Sequence, residues 1–210
     1  KVGIEIGGTF TDLVCIEGGG VRIAKVRSTP SQPDEAVFQA LAAAEIDIDK
    51  LTDLAHGSTV ATNAVLERKG ARLGLLLTEG FRDLLLLRRQ DREKLFDIFY
   101  RKPDALVSRR DTLEVPGRID GRGNVVRALD EEAWAPRLEK FLREGAFDAI
   151  AVCLLNAFAN PDHERRVAEL VGRLAPGLPV TCSVNVSREF REYERASTTT
   201  LAAYVSPVLD

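Results

Sequence analysis

The sequence predicts an α/β protein in which a meander of three antiparallel strands is followed by alternating helices and strands. Three observations support this class. In residues 2–26, apolar side chains alternate with other side chains between glycine turns. From residue 33 onward, helical segments alternate with apolar strands, and a second such series begins at residue 129. The chain has 210 residues, of which 45% are apolar and 29% charged, so it can bury a full core.

The first three strands are predicted at residues 2–6, 11–16 and 21–26. In each of them the side chains alternate with a period of two, which is typical of a strand that is buried on one face. Gly7-Gly8 and the three glycines at 18–20 separate the strands and favour tight turns. Consecutive strands joined by such turns form an antiparallel meander.

Helices and strands alternate after the meander. Ser31 to Glu35 carry proline and acidic residues, which favour a helix start, and a helix is expected through residues 36–45. We further expect a short strand at 53–56, a helix at 60–69, an apolar strand at 73–78 and a helix at 80–87. This element order is that of a ribonuclease-H-like half, the lobe from which ATPases of the actin, hexokinase and heat-shock-chaperone type are built; the inference is an analogy between element orders.

The rest of the chain is predicted to form two further regions. Residues 88–128 are broken by prolines and glycines and are interpreted as an insertion or connecting region. From residue 129 onward we predict a helix to 143, a buried strand at 147–155, a helix to 174, a strand at 179–184 and a helix at 190–204 that Pro207 ends. The predicted division is therefore a nucleotide-phosphate-binding unit at 1–87, a connecting region at 88–128 and a second α/β unit at 129–210. Because the chain contains no methionine and starts directly in a strand, we expect it to be a segment of a longer polypeptide.

Charge, hydropathy and cysteine usage exclude several classes of protein. A net charge of −3 argues against a nucleic-acid-binding protein, which usually has a concentrated basic face. No apolar run approaches the length of a membrane span. Cys15, Cys153 and Cys182 lie far apart in apolar stretches, so we expect buried, reduced thiols and a cytoplasmic protein.

The most informative motif is V-G-I-E-I-G-G-T-F-T-D at residues 2–12. Glycines let a backbone approach phosphate oxygens, hydroxyls and amides donate to them, and a nearby carboxylate suits a hydrated magnesium ion. The motif lacks the lysine of a Walker-type loop, and a strand follows it, whereas a dinucleotide-binding turn opens a helix. An ordinary hairpin turn is the alternative interpretation. In a regular strand Asp12 points away from the face of Thr9 and Thr11, so only one of these groups would face a ligand.

Three further polar segments are candidates for function. Ser58 or Thr59 could cap the following helix and hold an anion, and His56 could act as a base, but the spacing alone favours simple capping with a partly buried histidine. The pair Glu192 and Arg195 is expected on a solvated helix face. Hydroxyl residues at 197–200 disfavour a helix, which indicates a buried or binding surface. His163, in the first turn of a capped helix, is expected at the surface.

Several of these motifs together resemble a known family. They are I-E-I-G-G-T-F-T-D, A-H-G-S-T-V-A-T-N-A-V-L-E-R-K-G-A, T-E-G-F-R-D-L-L-L-L-R-R-Q, A-F-A-N-P-D-H-E and R-E-Y-E-R-A-S-T-T-T-L-A-A-Y-V-S-P. In this order they resemble the N-terminal part of the hydantoinase A/5-oxoprolinase family, which also contains subunits of acetone and acetophenone carboxylases. The resemblance implies an actin-type ATPase fold. It also implies that ATP activates a poorly reactive carbonyl compound, either to open a cyclic amide or to carboxylate a ketone.

The resemblance also implies cofactors, site residues and partners. It implies ATP and Mg²⁺, with Glu5 or Asp12 at the metal, Gly7, Gly8, Thr9 and Thr11 at the phosphates, and the loop at residues 56–63 as a candidate wall of the cleft. The catalytic candidates are Glu5, Asp12 and, from its own chemistry, His56. Phe10 within the first motif and Ser58 and Thr59 at the start of a helix complete the phosphate-binding candidates. Family members usually have aspartate where this chain has Glu5, whose carboxylate lies about one methylene further out. The implied partners are a small cyclic amide or ketone, the rest of its own chain and a second, B-type subunit, with neither nucleic acid nor membrane.

Four functions are compatible with the sequence. The leading hypothesis is the N-terminal part of an ATP-dependent cyclic-amide hydrolase that opens hydantoin or 5-oxoproline. The second is a subunit of an ATP-dependent ketone carboxylase. A sugar-type kinase would share the I-G-G-T turn but needs a carboxylate base that the sequence does not reveal. A non-catalytic nucleotide-binding module is the fourth, and Glu5 motivates it.

Overall fold

A computed structural model describes residues 1–29, 32–91 and 93–209. Within them the chain divides into two compact units, Lys1–Lys69 and Gly70–Val208, called the first and second unit below. Each unit contains a four-stranded sheet, and the second also contains a two-stranded one. The α/β class predicted from the sequence is therefore confirmed. Among the described residues, no helix has both the length and the apolar composition that crossing a membrane requires.

The first unit is a mixed sheet with one long helix packed on it. Its elements are β1 (Val2–Ile6), β2 (Phe10–Glu17), β3 (Gly20–Arg27), α1 (Pro33–Ala43), a 3₁₀ turn (Ile48–Lys50), β4 (Leu54–Ser58) and α2 (Val60–Leu66). The strand order is β3-β2-β1-β4. The predicted meander is present, because β1 pairs with β2 and β2 with β3 in antiparallel fashion, and β4 then joins β1 in parallel.

The two faces of this sheet differ in burial. Ile4, Ile6 and Leu13 lie on the buried face and pack with Ala40 and Leu41 of α1. The two-residue period of a strand sends the intervening side chains to the other face. That face is apolar and exposed at five of these positions, which are Phe10, Val14, Ile16, Val21 and Ile23.

The second unit is built on a fully parallel sheet. Its elements are β5 (Leu73–Thr78), α3 (Leu84–Leu87), β6 (Thr112–Val115), β7 (Arg118–Ile119), β8 (Val125–Arg127), α4 (Glu131–Gly145), β9 (Ala149–Cys153), α5 (Asp162–Leu174), β10 (Val180–Cys182), α6 (Ser183–Val186) and α7 (Glu192–Leu209). The strand order is β10-β9-β5-β6, and every pairing in it is parallel. Strands β7 and β8 form a separate hairpin.

The core of the second unit lies between its sheet and helices α4 and α5. Asp130 caps α4, since its Oδ1 accepts a hydrogen bond from the Ala133 amide at 3.0 Å. The apolar stripe of α4 then meets that of α5 over the strands. The central side chains of this core are Trp134, Leu138, Val167, Val171, Leu76, Ile150 and Val152. Burial of these apolar side chains stabilises the parallel pairing of strands that lie far apart in the sequence.

The contacts of the described residues divide the chain differently from the predicted regions 1–87, 88–128 and 129–210. Strand β5 was assigned to the first region, but it pairs with β6 and β9 and so belongs to the second unit. Strand β6 comes from the predicted connecting region and forms the edge of the same sheet. The reason is that a buried apolar strand can pair with any parallel partner, and its sequence does not specify which one.

Three element boundaries also differ. The helix expected at 80–87 is shortened to α3, the strand expected at 179–184 ends at Cys182 and α6 follows it, and α7 continues past Pro207. Proline interrupts a helix by removing one amide and clashing with the carbonyl four residues earlier. Because Pro207 lies in the last turn, α7 tolerates this loss. Ser31, part of the predicted helix start, and Asp210, the end of the predicted third region, lie outside the described residues.

Candidate functional site

The glycine turn connects β1 to β2 and is closed by a backbone hydrogen bond. The Gly7 amide donates to the Phe10 carbonyl at 2.9 Å. A side chain at residue 7 would place its Cβ 2.9 Å from that same carbonyl oxygen, and one at residue 8 would place it 3.1 Å from Asn63 Nδ2. The turn is therefore too tight for a larger residue at position 7, and its exposed tip is formed by Gly8 and Thr9.

Ser28 supports the turn from the end of β3. Its hydroxyl donates to the Gly7 carbonyl at 2.7 Å, and its amide donates to the Thr9 carbonyl at 3.0 Å. The same hydroxyl lies 3.0 Å from Thr11 Oγ1, and Thr11 is fully buried. Thr11 thus braces the turn from the buried face. The sequence analysis missed Ser28; the only signal was a serine two residues after the predicted strand at 21–26.

The two candidate metal-binding carboxylates lie next to each other. Glu5 of β1 and Asp12 of β2 are register partners, so both side chains project from the same face of the sheet. Side chains paired in this way have Cβ atoms roughly 5 Å apart. Thr11 lies on the opposite face, in agreement with the expectation that only one of these groups can face a ligand.

Each carboxylate has a distinct neighbour on this face. Asp12 Oδ1 accepts a hydrogen bond from Lys25 Nζ at 2.8 Å, and the Lys25 ammonium also lies 5.0 Å from the centroid of the Phe10 ring. The Glu5 carboxylate lies above Gly57 of β4, where an added Cβ would be only 2.3 Å from Oε2. Two carboxylates and a lysine therefore border the glycine turn on its exposed side.

His56 does not join this group. In the parallel pairing of β1 with β4, His56 is the partner of Ile4, whereas Glu5 is the partner of Gly57. His56 therefore projects from the face of Ile4, opposite to the carboxylates, where it is exposed at the sheet edge. The structure does not bring the three predicted catalytic residues together.

Ser58 ends β4 beside the last residue of β1, and Thr59 leads from there into α2. Thr59 donates to the Ile6 carbonyl through both its amide, at 3.1 Å, and its hydroxyl, at 3.3 Å. Ser58 Oγ accepts from the Val60 amide at 3.3 Å, whereas the N-cap residue of α2, Thr59, makes no side-chain capping hydrogen bond. Because Ile6 directly precedes Gly7, these bonds from Thr59 hold the first residue of the glycine turn in place.

The comparisons with known proteins identify a family for the chain. Residues 1–174 match the family described as the hydantoinase/oxoprolinase N-terminal region. The chain belongs to this family. The resemblance stated from the motifs is thereby confirmed.

Two curated relatives of this hydantoinase/oxoprolinase-family chain are subunits of enzymes. The caprolactamase subunit alpha of Pseudomonas jessenii is 36% identical over 222 residues, covering 100% of this chain and 32% of the relative. The acetophenone carboxylase gamma subunit of Aromatoleum aromaticum is 36% identical over 226 residues, covering 98% of this chain and 31% of the relative. This chain therefore spans about a third of the length of these relatives.

Two solved structures have the same fold over nearly the whole chain. A nucleotide-free acetone carboxylase, from work on ATP-dependent acetone carboxylation, superposes with a TM-score of 0.85 at 27% identity. The ATP-dependent caprolactamase of Pseudomonas jessenii superposes with a TM-score of 0.82 at 32% identity. Each match covers 99% of this chain and 32% of the other.

In the second unit of this family member, Arg195 is buried, which corrects the expected solvated helix face. Its guanidinium donates to the Leu154 carbonyl at 2.6 Å, to Ser183 Oγ at 3.0 Å and to Glu192 Oε1 at 3.1 Å. Charge alternation along a sequence does not specify which side of a helix is covered, and here α7 buries Arg195. The Glu192 carboxylate also accepts from the Asn156 amide at 2.8 Å.

Glu164 of α5 completes this buried network. Its carboxylate accepts from the Ser183 hydroxyl at 2.6 Å, the Leu154 amide at 2.7 Å and the Val184 amide at 3.2 Å. Burial raises the pKa of Glu164, while these donors act in the opposite direction. Sequence reasoning missed Glu164, because a glutamate near a helix start normally indicates an exposed residue.

His163 is buried as well, which corrects the expected surface position. Its ring packs over Gly117, where an added Cβ would lie 2.7 Å from Nδ1. Burial, followed by the positive charge of Arg166, lowers the pKa of His163. The first turn of α5 is covered by the segment between β6 and β7, and the helix sequence alone gave no sign of this.

Proposed function

We propose that this chain forms the N-terminal part of an ATP-dependent cyclic-amide hydrolase that opens a hydantoin or 5-oxoproline ring after phosphorylation of its carbonyl oxygen. The observation that carries the proposal is the placement of Glu5 and Asp12 side by side on one face, directly beside the Gly7-Gly8 turn. The family model and the relative that is an ATP-dependent caprolactamase support the same reaction class.

The first unit supports the ribonuclease-H-like interpretation within this proposal. Its strand order is β3-β2-β1-β4, with the first three strands antiparallel and β4 parallel to β1 after the α1 crossover. This is the arrangement expected from the element order that suggested an actin-type ATPase lobe. In such a lobe the first hairpin turn approaches the nucleotide phosphates, which is the role proposed here for residues 7–11.

The chemistry of the donor set fits a magnesium–nucleotide. Magnesium is held through one or two carboxylates and keeps several water molecules, and Glu5 and Asp12 offer two carboxylates on an exposed face. Within the described residues Glu5 forms no ion pair, so its charge is available to a cation. Backbone amides at the tip of the turn, with the hydroxyl of Thr9, would donate to phosphate oxygens.

Not every candidate residue contributes directly in this proposal. Thr11 acts through Ser28 by holding the turn in shape, and Ser58 and Thr59 fix its entry from β1. The Phe10 ring makes a cation–π contact with the Lys25 ammonium, which also bonds to Asp12. We assign His56 no contact with the phosphates, because it projects from the opposite face.

The chemical logic is that resonance makes an amide carbonyl a poor electrophile. ATP supplies a phosphoryl group, and its transfer to the carbonyl oxygen creates a good leaving group, so that water can open the ring. Such a transfer needs in-line positioning and charge neutralisation rather than a strong protein nucleophile. Glycine amides and the Thr9 hydroxyl would position the phosphates, and a magnesium ion held by the two carboxylates would neutralise their charge.

The complete reaction is proposed for the whole protein rather than for these residues alone. The curated relatives are about three times as long, and both are subunits, so we propose that the rest of the polypeptide and a second subunit take part. The three cysteines are buried thiols, which supports a reducing, cytoplasmic location.

A ketone carboxylase subunit is the second candidate. The TM-score of 0.85 with acetone carboxylase and the 36% identity with an acetophenone carboxylase subunit favour it. Both candidate reactions require ATP to activate a carbonyl compound, so the phosphate site is the same in each.

Phosphate release from Mg-ATP by the intact protein with its partner subunit tests the proposal. Hydantoin and 5-oxoproline are compared with a ketone plus bicarbonate. Release stimulated by a cyclic amide is the expected result, stimulation only by the ketone with bicarbonate supports the carboxylase, and no stimulation by any substrate overturns both. Asp12→Asn should lower release at least about 10-fold. Glu17→Gln, at the far end of β2, is the matched control and should leave release unchanged.

A further inference from the structure

The sheet of the first unit has an apolar outer face, which is the face opposite α1. Val14 and Ile16 of β2 lie on it and pair with Ile23 and Val21 of β3, and these four side chains are called the apolar patch below. Their exposed fractions run from 42% for Val14 to 72% for Ile23. An antiparallel sheet turns one face to water where that face is polar. A contiguous apolar patch on a surface instead marks an interaction site.

A groove extends the apolar patch across β1 and β4. Gly3 of β1 pairs with Val14 on one side and with Ala55 of β4 on the other, so small residues lie directly beside large ones. The groove has a volume of about 470 Å³, and its lining includes Gly3, Val14, Ile16 and Ala55. A trough of small residues beside larger ones suits the projecting side chains of a helix that packs on the sheet.

Gly3 is not required by the packing of the described residues. A Cβ added at residue 3 would meet no other atom within 4 Å. Gly57, on the same face, differs, because a Cβ there would come within 2.3 Å of Glu5 Oε2. Glycine inside a strand is destabilising, and it often marks a position that another backbone approaches closely. The glycine at residue 3 therefore fits the close approach of a further segment.

The apolar patch ends at a row of charged side chains. Glu5, Asp12 and Lys25 are register partners on the same face, one row nearer the glycine turn. Asp12 and Lys25 form an ion pair, with Oδ1 and Nζ 2.8 Å apart. Burying these charges would be costly, so a segment that packs on the apolar rows should end before them. It would leave the proposed phosphate site open.

We infer that an amphipathic helix from the remainder of this protein's own polypeptide covers the apolar patch and its groove. Two solved structures share the fold of 99% of this chain, and in each the match takes up 32% of a longer single chain. A segment of the same polypeptide is present at an effective concentration that a separate partner rarely reaches. Helix α1 covers the inner face of this sheet, and a second apolar face needs a second layer. This inference goes beyond the proposed function and does not rest on it.

Thiol labelling of the full-length subunit, free of its partner subunit and in dilute solution, tests the inference. Ile23→Cys places a thiol in the middle of the apolar patch, and Lys50→Cys, whose native side chain is 78% exposed, is the control in the same unit. We expect a maleimide to label residue 23 at least about 10-fold more slowly than residue 50, because labelling must wait for the helix to open. Peptide mass spectrometry measures both rates, with the buried Cys15 as an unreactive reference.

The other results of this experiment overturn the inference. Equal rates at residues 23 and 50 would show that the apolar patch is open to solvent. Protection of residue 23 only after the second subunit is added would assign the patch to that subunit. Protection only at high protein concentration would assign it to a second copy of this chain.

Gly3→Leu in the Ile23→Cys background tests the placement of the helix in the groove. The leucine fills the groove without a clash inside the described residues, so it should displace the helix and raise the labelling rate at residue 23 at least about 5-fold. Gly172→Leu is the matched control, because a Cβ at this exposed position of α5 also meets nothing within 4 Å, and it should leave the rate unchanged. An unchanged rate in Gly3→Leu would overturn the placement. Circular dichroism of each variant verifies that the fold is retained.

Discussion

Gly57 determines where the Glu5 carboxylate lies. An alanine methyl at this position would come within 2.3 Å of Oε2, so only glycine leaves the space above β4 that the glutamate occupies. The open space over Gly57 therefore accommodates the full length of the glutamate side chain, and the two positions are expected to act as a pair.

Gly57→Ala should therefore weaken the binding of a magnesium–nucleotide without unfolding the protein. The carboxylate is the end of a flexible side chain and can move away from the new methyl, so we expect the free energy of unfolding to change by less than about 1 kcal/mol. Loss of one metal contact should weaken binding about 10-fold, measured by titration calorimetry with a non-hydrolysable Mg-nucleotide. The double variant Glu5→Asp/Gly57→Ala should recover affinity, and failure to recover would argue against the pairing.

Arg195 supplies several of the buried hydrogen bonds of the second unit. Arg195→Met would leave Leu154, Ser183 and Glu192 without their donor in a buried site. Breaking such a network costs about 3–5 kcal/mol of folding free energy. Urea denaturation measures this loss.

The control for this prediction is Arg165→Met on α5. The Arg165 guanidinium lies 3.9 Å from Asp162 and both side chains are exposed, so the stability should change by no more than about 0.5 kcal/mol. Similar losses in the two variants would contradict the role assigned to Arg195.

At the scale of single elements, α5 presents two adjacent polar residues to buried surroundings. Glu164 turns toward α6 and the loop after β9, whereas His163 packs over Gly117 between β6 and β7. Successive residues on a helix point about 100° apart, so one turn of α5 reaches two different neighbours. The helix thereby joins the strand ends of the second unit through side chains as well as through its apolar stripe.

The stability of the protein should depend on the protonation of His163. Its pKa is lowered from 6.5, so between that value and the lower folded-state pKa the unfolded chain binds more protons than the folded one. Stability from this residue is therefore present above the unfolded pKa and is lost as the pH falls. We expect the free energy of unfolding to decrease from about pH 7 to about pH 5, and His163→Gln to make this slope shallower.

Urea titrations across this pH range provide the measurement. His56→Gln, an exposed histidine in the first unit, is the matched control and should keep the wild-type slope. An unchanged slope in His163→Gln would show that other groups cause the pH dependence.

At the scale of the whole molecule, the two units differ in how completely they bury apolar surface. The second unit encloses a large core between its parallel sheet and helices. The first unit has a smaller core on one face of its sheet and leaves Val14, Ile16 and Ile23 exposed on the other. Domains of this small size bury a low fraction of their surface and are marginally stable.

Residues 70–208 expressed alone should therefore fold cooperatively, and residues 1–69 alone should not. Calorimetry should show a single unfolding transition for the longer fragment. The shorter fragment should bind a hydrophobic dye and lack a sharp transition. A cooperative transition in 1–69, or none in 70–208, would contradict this difference in autonomy.

Local patterns predicted many of the elements but not their partners. The meander at residues 2–26, helices α4 and α5 and the glycine turn were predictable, because period, capping and turn chemistry are properties of neighbouring residues. The sheet to which β5 belongs was not predictable, since any buried parallel strand could accept it. The same limit applies to Ser28, whose role depends on a turn about 20 residues away.

The sequence by itself determined the α/β class, the family and the identity of the carboxylates beside the glycine turn, because these are carried by short, contiguous motifs. Only the tertiary structure decided that His56 projects away from Glu5 and that Arg195, Glu164 and His163 are buried. The physical reason is that strand register and burial depend on contacts between segments far apart in the chain. A one-residue change of register would reverse which side chains meet at the site.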